Sequence, residues 1–107
     1  MTRVVVDSGI CGKITTIEVD KVGKRMVTIK IVSDCELVTD MGKSLIEVDQ
    51  WDALKSHVQS EIYQIASGSH IHVSCPVPVA ILKAIEVEAG LALPRPVNIR
   101  FESTSPR

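Results

Sequence analysis

Apolar and polar residues alternate most regularly near the start of the chain. Val27, Ile29 and Ile31 alternate with Thr28 and Lys30 between Met26 and Val32, and Thr15, Ile17 and Val19 share one side of the segment Lys13 to Val22. Successive side chains of a strand point to opposite faces, so both segments predict strands with one buried face. Gly23, among Lys21, Lys24 and Arg25, marks a turn that joins them into a hairpin. Val4-Val5-Val6 predicts a short strand ended by Asp7-Ser8-Gly9. Val97, Ile99 and Phe101, alternating with Asn98, Arg100 and Glu102, predict a closing strand.

The middle of the chain changes to helical spacing. Ser33-Asp34 ends the hairpin and offers an N-cap, with Asp34 the expected cap for a helix that starts near Cys35 and carries Leu37, Val38 and Met41. Asp49 is a second expected N-cap, with Trp51, Leu54 and Val58 facing inward. Ser60 to Ser67 predicts a short helix with Ile62, Ile65 and Ala66, stopped at Gly68, and His70 to Val73 an extended link. Pro76 starts the strongest helix, since a proline at the first helical position loses no needed N–H. Val77, Ala80, Ile81, Ala84 and Ile85 form its apolar stripe, Gly90 closes it and Pro94 prevents its resumption. Strands, then helices, then a strand predict an α+β fold: an antiparallel sheet of three to four strands with helices packed on one face. One domain is expected over residues 1–102, with a loose tail over 103–107.

Composition narrows the class. Apolar residues make up 45% of the 107 positions but aromatics only 3%, so the core must be aliphatic. The positive mean hydropathy of +0.21 hints at apolar surface covered by a partner, a second copy or another protein. The net charge is −1 and the basic residues are scattered, which leaves no basic face for nucleic acid. No apolar run approaches the roughly eighteen residues that a membrane span needs. An odd count of three cysteines without a secretory signal points to a reducing cytoplasm rather than a disulfide framework.

Those cysteines are the candidate chemistry. Cys11 precedes Gly12 at the start of the hairpin, Cys35 lies between the hairpin and the next helix, and Cys75 precedes Pro76 at the start of the last helix. A helix N-terminus stabilises a thiolate, which is both the nucleophile and the metal-ligating form. Soft thiolates suit zinc or an iron–sulfur cluster. Cys11, Cys35 and Cys75 are therefore candidate metal ligands, with Asp34 or His72, water or a partner residue to complete a site. No Cys-x-x-Cys pair is present, so buried thiols acting as small apolar side chains, or a nucleophilic Cys35 or Cys75, are alternatives.

The order of elements resembles the iron–sulfur cluster scaffold family of the IscU and NifU amino-terminal type. The resemblance rests on a Cys-Gly that starts a hairpin, a cysteine leading into a helix, and a third cysteine starting the last helix. It covers roughly Ile10 to Gly90 and implies an IscU/NifU-like fold, with Cys11, Cys35 and Cys75 as cluster ligands. The Ser74-Cys75-Pro76 element also resembles the TSCPD domain, and the run Ser74 to Glu86 resembles a small prokaryotic family with that signature. The scaffold family's aspartate after Cys-Gly is Lys13 here, its histidine before the third cysteine is Ser74, and Ser67-Gly68-Ser69 stands in the region of its Leu-Pro-Pro-Val-Lys segment. These departures imply a derived domain that keeps the cysteine triad.

His57 is expected to be solvated at a helix end, and His70 and His72 to lie on an exposed edge. No phosphate-binding loop, nucleophile elbow or metalloprotease helix is present. Two function classes follow: a metal- or iron–sulfur-binding domain, or a non-catalytic module that binds a protein partner or itself.

Overall fold

The computed structural model describes residues 1–103. Four strands form an antiparallel sheet in the order of the chain: β1 (Thr2–Asp7), β2 (Ile14–Val22), β3 (Met26–Ser33) and β4 (Glu47–Asp49). Three helices accompany it: α1 (Glu36–Gly42), α2 (Glu61–Ser67) and α3 (Val77–Glu88). The fold is α+β, as the order of patterns predicts. Of the loose tail expected over 103–107, only Ser103 lies within the described residues.

The hairpin forms in the register its alternation demands. Ile17 faces Ile31 and Val19 faces Ile29, while Val4 and Val6 of β1 stand opposite Ile17 and Thr15. These residues share the inner face, where Ile17, Val19 and Val27 are fully buried. The outer face carries Arg3, Val5 and Asp7 on β1, Thr16, Glu18 and Asp20 on β2, and Lys30 and Val32 on β3. A slip of one residue would turn every one of these side chains to the wrong side, so burial of the inner face fixes the register.

α3 lies across β1 and β2, with Val77, Ile81, Ala84 and Ile85 fully buried. It ends as the pattern predicts. Gly90 adopts φ 76°, its N–H donates to the Val87 carbonyl at 3.1 Å, and Leu91 N–H donates to the Glu86 carbonyl at 2.8 Å. This closure requires a left-handed residue, which glycine supplies without strain. α1 covers β3 through Val38 and Met41, while Leu37 is exposed.

Three expectations are corrected. No strand forms over Val97 to Phe101: these residues have no ladder partner and are exposed, Phe101 at 97%. The fourth strand is instead β4, three residues against the start of β3, too short to show a period. Trp51, Leu54 and Val58 face solvent, because Gln50 to Leu54 form a 3-10 helix that buries Gln50 and Asp52. Asp49 does cap that turn, accepting Trp51 N–H at 2.9 Å. That hydrogen bond and the Arg25 guanidinium at 2.6 Å hold its carboxyl below the usual carboxylate range. The link His70 to Val73 is not extended: His70 has φ 61° and Cys75 N–H donates to the His72 carbonyl at 3.0 Å, closing a turn.

Glu88 fixes the direction of α3. Its carboxylate accepts Thr2 Oγ1–H at 2.7 Å and Lys21 N–H at 3.0 Å, joining the helix end to the first residue of β1 and the end of β2. Burial would raise its pKa, but these hydrogen bonds and the chain's positive amino terminus outweigh it, and the net shift is downward. A carboxyl with a depressed folded pKa adds stability that is complete above its unfolded value, about 4.3, and is lost as pH falls through the folded value. Glu88→Gln is therefore expected to cost roughly 1–2 kcal/mol at neutral pH. The same variant should lose less further stability than the wild type between about pH 5 and pH 3. Urea unfolding across that range measures both; parallel curves would show that Glu88 carries no such linkage.

Candidate functional site

The fold directs all three cysteines to one end of the sheet. Cys11 lies in the loop from the end of β1 to the start of β2, a single 3-10 turn flanked by Gly9 (φ 82°) and Gly12 (φ 71°). Asp7 caps this turn by accepting Gly9 N–H at 2.9 Å, and Cys11 is exposed. Cys35 joins β3 to α1 at the same end, since Asp34 N–H donates to the Ile14 carbonyl at 3.1 Å. Cys75 lies two residues before α3, and Glu88 at the end of that helix is tied to Thr2 and Lys21 at the opposite end. Twelve helical residues span about 18 Å and the six of β1 about 20 Å, so the start of α3 falls near the Asp7 end.

Local hydrogen bonds hold Cys35 and Cys75 by their backbones. Cys35 N–H donates to Ser33 Oγ at 3.1 Å, and that hydroxyl also shares a 2.7 Å hydrogen bond with the buried Thr15 hydroxyl. The Cys35 carbonyl accepts both Thr39 N–H at 2.9 Å and Thr39 Oγ1–H at 3.0 Å. Cys35 and Cys75 are half-buried against the core, and all three thiols are free. Asp34 does not cap α1 as expected. Its Oδ2 accepts Ile14 N–H at 3.3 Å, which ties the exit of β3 to the start of β2. His72 is exposed on the turn before Cys75. Among the described residues, no three histidine, cysteine, aspartate or glutamate side chains are grouped closely enough to hold a metal ion. The shared end is thus a common neighbourhood, with two thiols packed inward and one on an outward loop.

A second polar cluster was not visible in the sequence. Asp52 is buried, and three donors converge on its carboxylate: Ser60 Oγ–H at 2.7 Å, Glu61 N–H at 2.7 Å and Ile62 N–H at 3.2 Å. Ser60 in turn accepts Tyr63 N–H at 3.3 Å, so the start of α2 is capped twice, locally by Ser60 and from eight residues away by Asp52. Lys55 Nζ lies 3.6 Å from the same carboxylate. A cleft of about 260 Å³ opens beside it, lined in part by His57, Tyr63, Lys83 and Glu86, with the His57 and Tyr63 rings 5.3 Å apart. With its oxygens occupied, Asp52 is an acceptor that fixes a loop to a helix and not a free base. Asp49 was legible because a cap commonly lies next to its helix; Asp52 was not, because it caps a helix that begins nine residues later.

The segment after α3 differs from the rest of the surface. Every residue from Gly90 to Ser103 is exposed, including Leu91, Leu93, Val97, Ile99 and Phe101. Arg100 lies 3.6 Å from Glu102. Residues two apart in an extended chain share a side, so this pair marks a polar side, with Val97, Ile99 and Phe101 on the other.

No helix of the described residues is long and apolar enough to cross a membrane. A family model described as a family of unknown function (DUF6951) matches residues 2–101. Comparison with curated proteins and with solved structures gives no match, so neither connects the chain to cluster scaffolds or TSCPD domains.

Asp52→Ala is expected to destabilise the fold by roughly 2–4 kcal/mol, since it leaves a buried hydroxyl and two backbone N–H groups without an acceptor. Asp52→Asn, which retains one carbonyl oxygen, should cost less. Equal unfolding midpoints for Asp52→Ala and the wild type in urea would contradict the double cap.

Proposed function

We propose that this chain, which belongs to the DUF6951 family, is a non-catalytic association module that joins a second copy of itself. The observation that carries this reading is the exposed segment after α3, with a period-two apolar row and no surface of its own chain to cover it. Isolated exposed apolar residues are ordinary, but a continuous row marks a surface that a partner removes from water. The same chain carries an open sheet edge, so a second copy is a sufficient partner. The saturated hydrogen bonding of Asp52 supports a structural role for the one buried carboxylate beside the cleft. We assign the module to the cytoplasm, where free thiols such as its three persist.

Light scattering on the wild type should give a mass that rises toward the dimer with concentration. Phe101→Asp should hold it near the monomer without changing the thermal unfolding of the body, because Phe101 is 97% exposed. A wild type that stays monomeric at every soluble concentration overturns the reading.

The common end of Cys11, Cys35 and Cys75 favours a second reading, in which these thiols bind zinc or an iron–sulfur cluster with Asp34 or His72 beside them. The residues do not fit such a group as placed: Cys11 stands on an exposed loop, and the three are not grouped as ligands. Iron, sulfide and zinc analysis after purification without oxygen tests it. On this reading the wild type carries near one site per chain or per dimer and Cys75→Ser loses it; equal contents in the two proteins overturn it.

A further inference from the structure

We infer that the acceptor for the exposed segment is the outer edge of β1 in a second copy, along which Val97 to Glu102 forms an antiparallel fifth strand, reciprocally in both directions. The inference rests on the association reading above and specifies its surface. β1 is a terminal strand, paired only with β2, and no other element hydrogen-bonds to its outer edge among the described residues. An open edge of this kind accepts an added strand through its unpaired N–H and C=O groups. β1 is six residues long, as is Val97 to Glu102.

Polarity selects a second copy over the chain's own edge. α3 ends beside Thr2, so the chain leaves the helix at the Thr2 end of its own β1, and a segment that folds directly back from there runs parallel to it. The parallel alignment that matches the ends brings Glu102 beside Asp7. When two copies are related by a two-fold axis with their β1 edges facing, the Thr2 end of one lies by the Asp7 end of the other. Each segment then enters at the partner's Asp7 end and runs antiparallel to that β1.

One antiparallel register satisfies both faces at once. With Glu102 opposite Arg3, Phe101 stands opposite Val4, Ile99 opposite Val6 and Asn98 opposite Asp7. Val4 and Val6 face the core, so Phe101 and Ile99 extend the apolar inner face. Arg3 and Asp7 are on the outer face, and Glu102 meets Arg3 there as an opposite-charge cross-strand pair. In this register Arg100 stands opposite Val5. A shift of two residues in one direction places Arg100 opposite Arg3; in the other it pairs Arg100 with Asp7 but moves Ile99 beyond β1, opposite Ser8, so only Phe101 keeps an apolar partner.

Sedimentation equilibrium on the full chain tests this. The β1 residues that point N–H and C=O outward are Arg3, Val5 and Asp7, since Ser8, Val6 and Val4 bond β2. Asn98→Pro, opposite Asp7, therefore removes a ladder N–H from an exposed segment, so it should leave the fold intact and weaken the dimer at least about tenfold. Arg3→Glu and Glu102→Arg should each weaken it roughly three- to tenfold, and the double variant should recover most of that loss. A dimer whose Kd is unchanged by Asn98→Pro overturns strand addition while leaving association standing. A dimer weakened by Asn98→Pro but not recovered by the double reversal overturns the β1 register. A wild type that never dimerises overturns both this inference and the reading beneath it.

Discussion

Burial of one side of α3 against β1 and β2 is the constraint on which the structure depends. Ile81, Ala84 and Ile85 of the helix and Ile17 and Val19 of the central hairpin strand are all removed from water. With hardly any aromatic volume available, this interior is filled by branched aliphatic side chains, and the small Ala84 lets the helix lie close to the sheet. Truncating a residue such as Ile81 in a layer of this kind leaves a void that the neighbours fill only in part. The same contact explains the one-sided architecture. Because helices cover one face, the other face of the sheet keeps its charges, with Arg3, Glu18 and Lys30 aligned in one row across three strands.

Apolar packing does not by itself fix the direction of a helix along a sheet, and here polar anchors do so. Glu88 ties the end of α3 to Thr2 and Lys21, while Asp52 ties the 3-10 turn after β4 to the start of α2. Each is a charged acceptor with more than one donor, and hydrogen bonds to charged groups are stronger than those between neutral ones. Once Glu88 is set at the Thr2 end, Cys75 is directed toward the Asp7 end, where Cys11 and Cys35 already lie. The neighbourhood of the three cysteines thus follows from a carboxylate at the far end of the helix.

What the sequence disclosed follows the range of the interactions involved. The hairpin and α3 are written in local periods, and Asp49, Ser60 and Gly90 in residues adjacent to the ends they close. Asp52 was invisible because its partners lie eight to ten residues away and its burial depends on α2 packing over it. Trp51 differs from expectation for a related reason: helical spacing from Asp49 predicts an inward tryptophan, but the residues form a short 3-10 turn whose Asp52 is drawn inward by its hydrogen bonds to Ser60, Glu61 and Ile62, leaving Trp51 outside. The placement of the cysteines at one end was legible in outline from their positions at element boundaries. Their separation into two inward thiols and one outward loop depends on packing that no local pattern records.

The segment Val97 to Phe101 has a strand's alternation without a strand's neighbours, and the two facts are compatible. A period of two specifies how a strand presents its faces, not which edge it joins. Ordering an isolated extended segment costs backbone entropy, and only ladder hydrogen bonds and apolar burial return it. Because α3 releases the chain at the Thr2 end, a direct return along its own β1 is parallel, and the proposed pairing satisfies the local pattern between chains. On the proposed pairing the segment enters beside the partner's Asp7, whose carboxylate caps the turn that holds Cys11. The association surface and the outward thiol would then meet at the same corner of the sheet, and the strand pattern and the cysteine loop become two parts of one region.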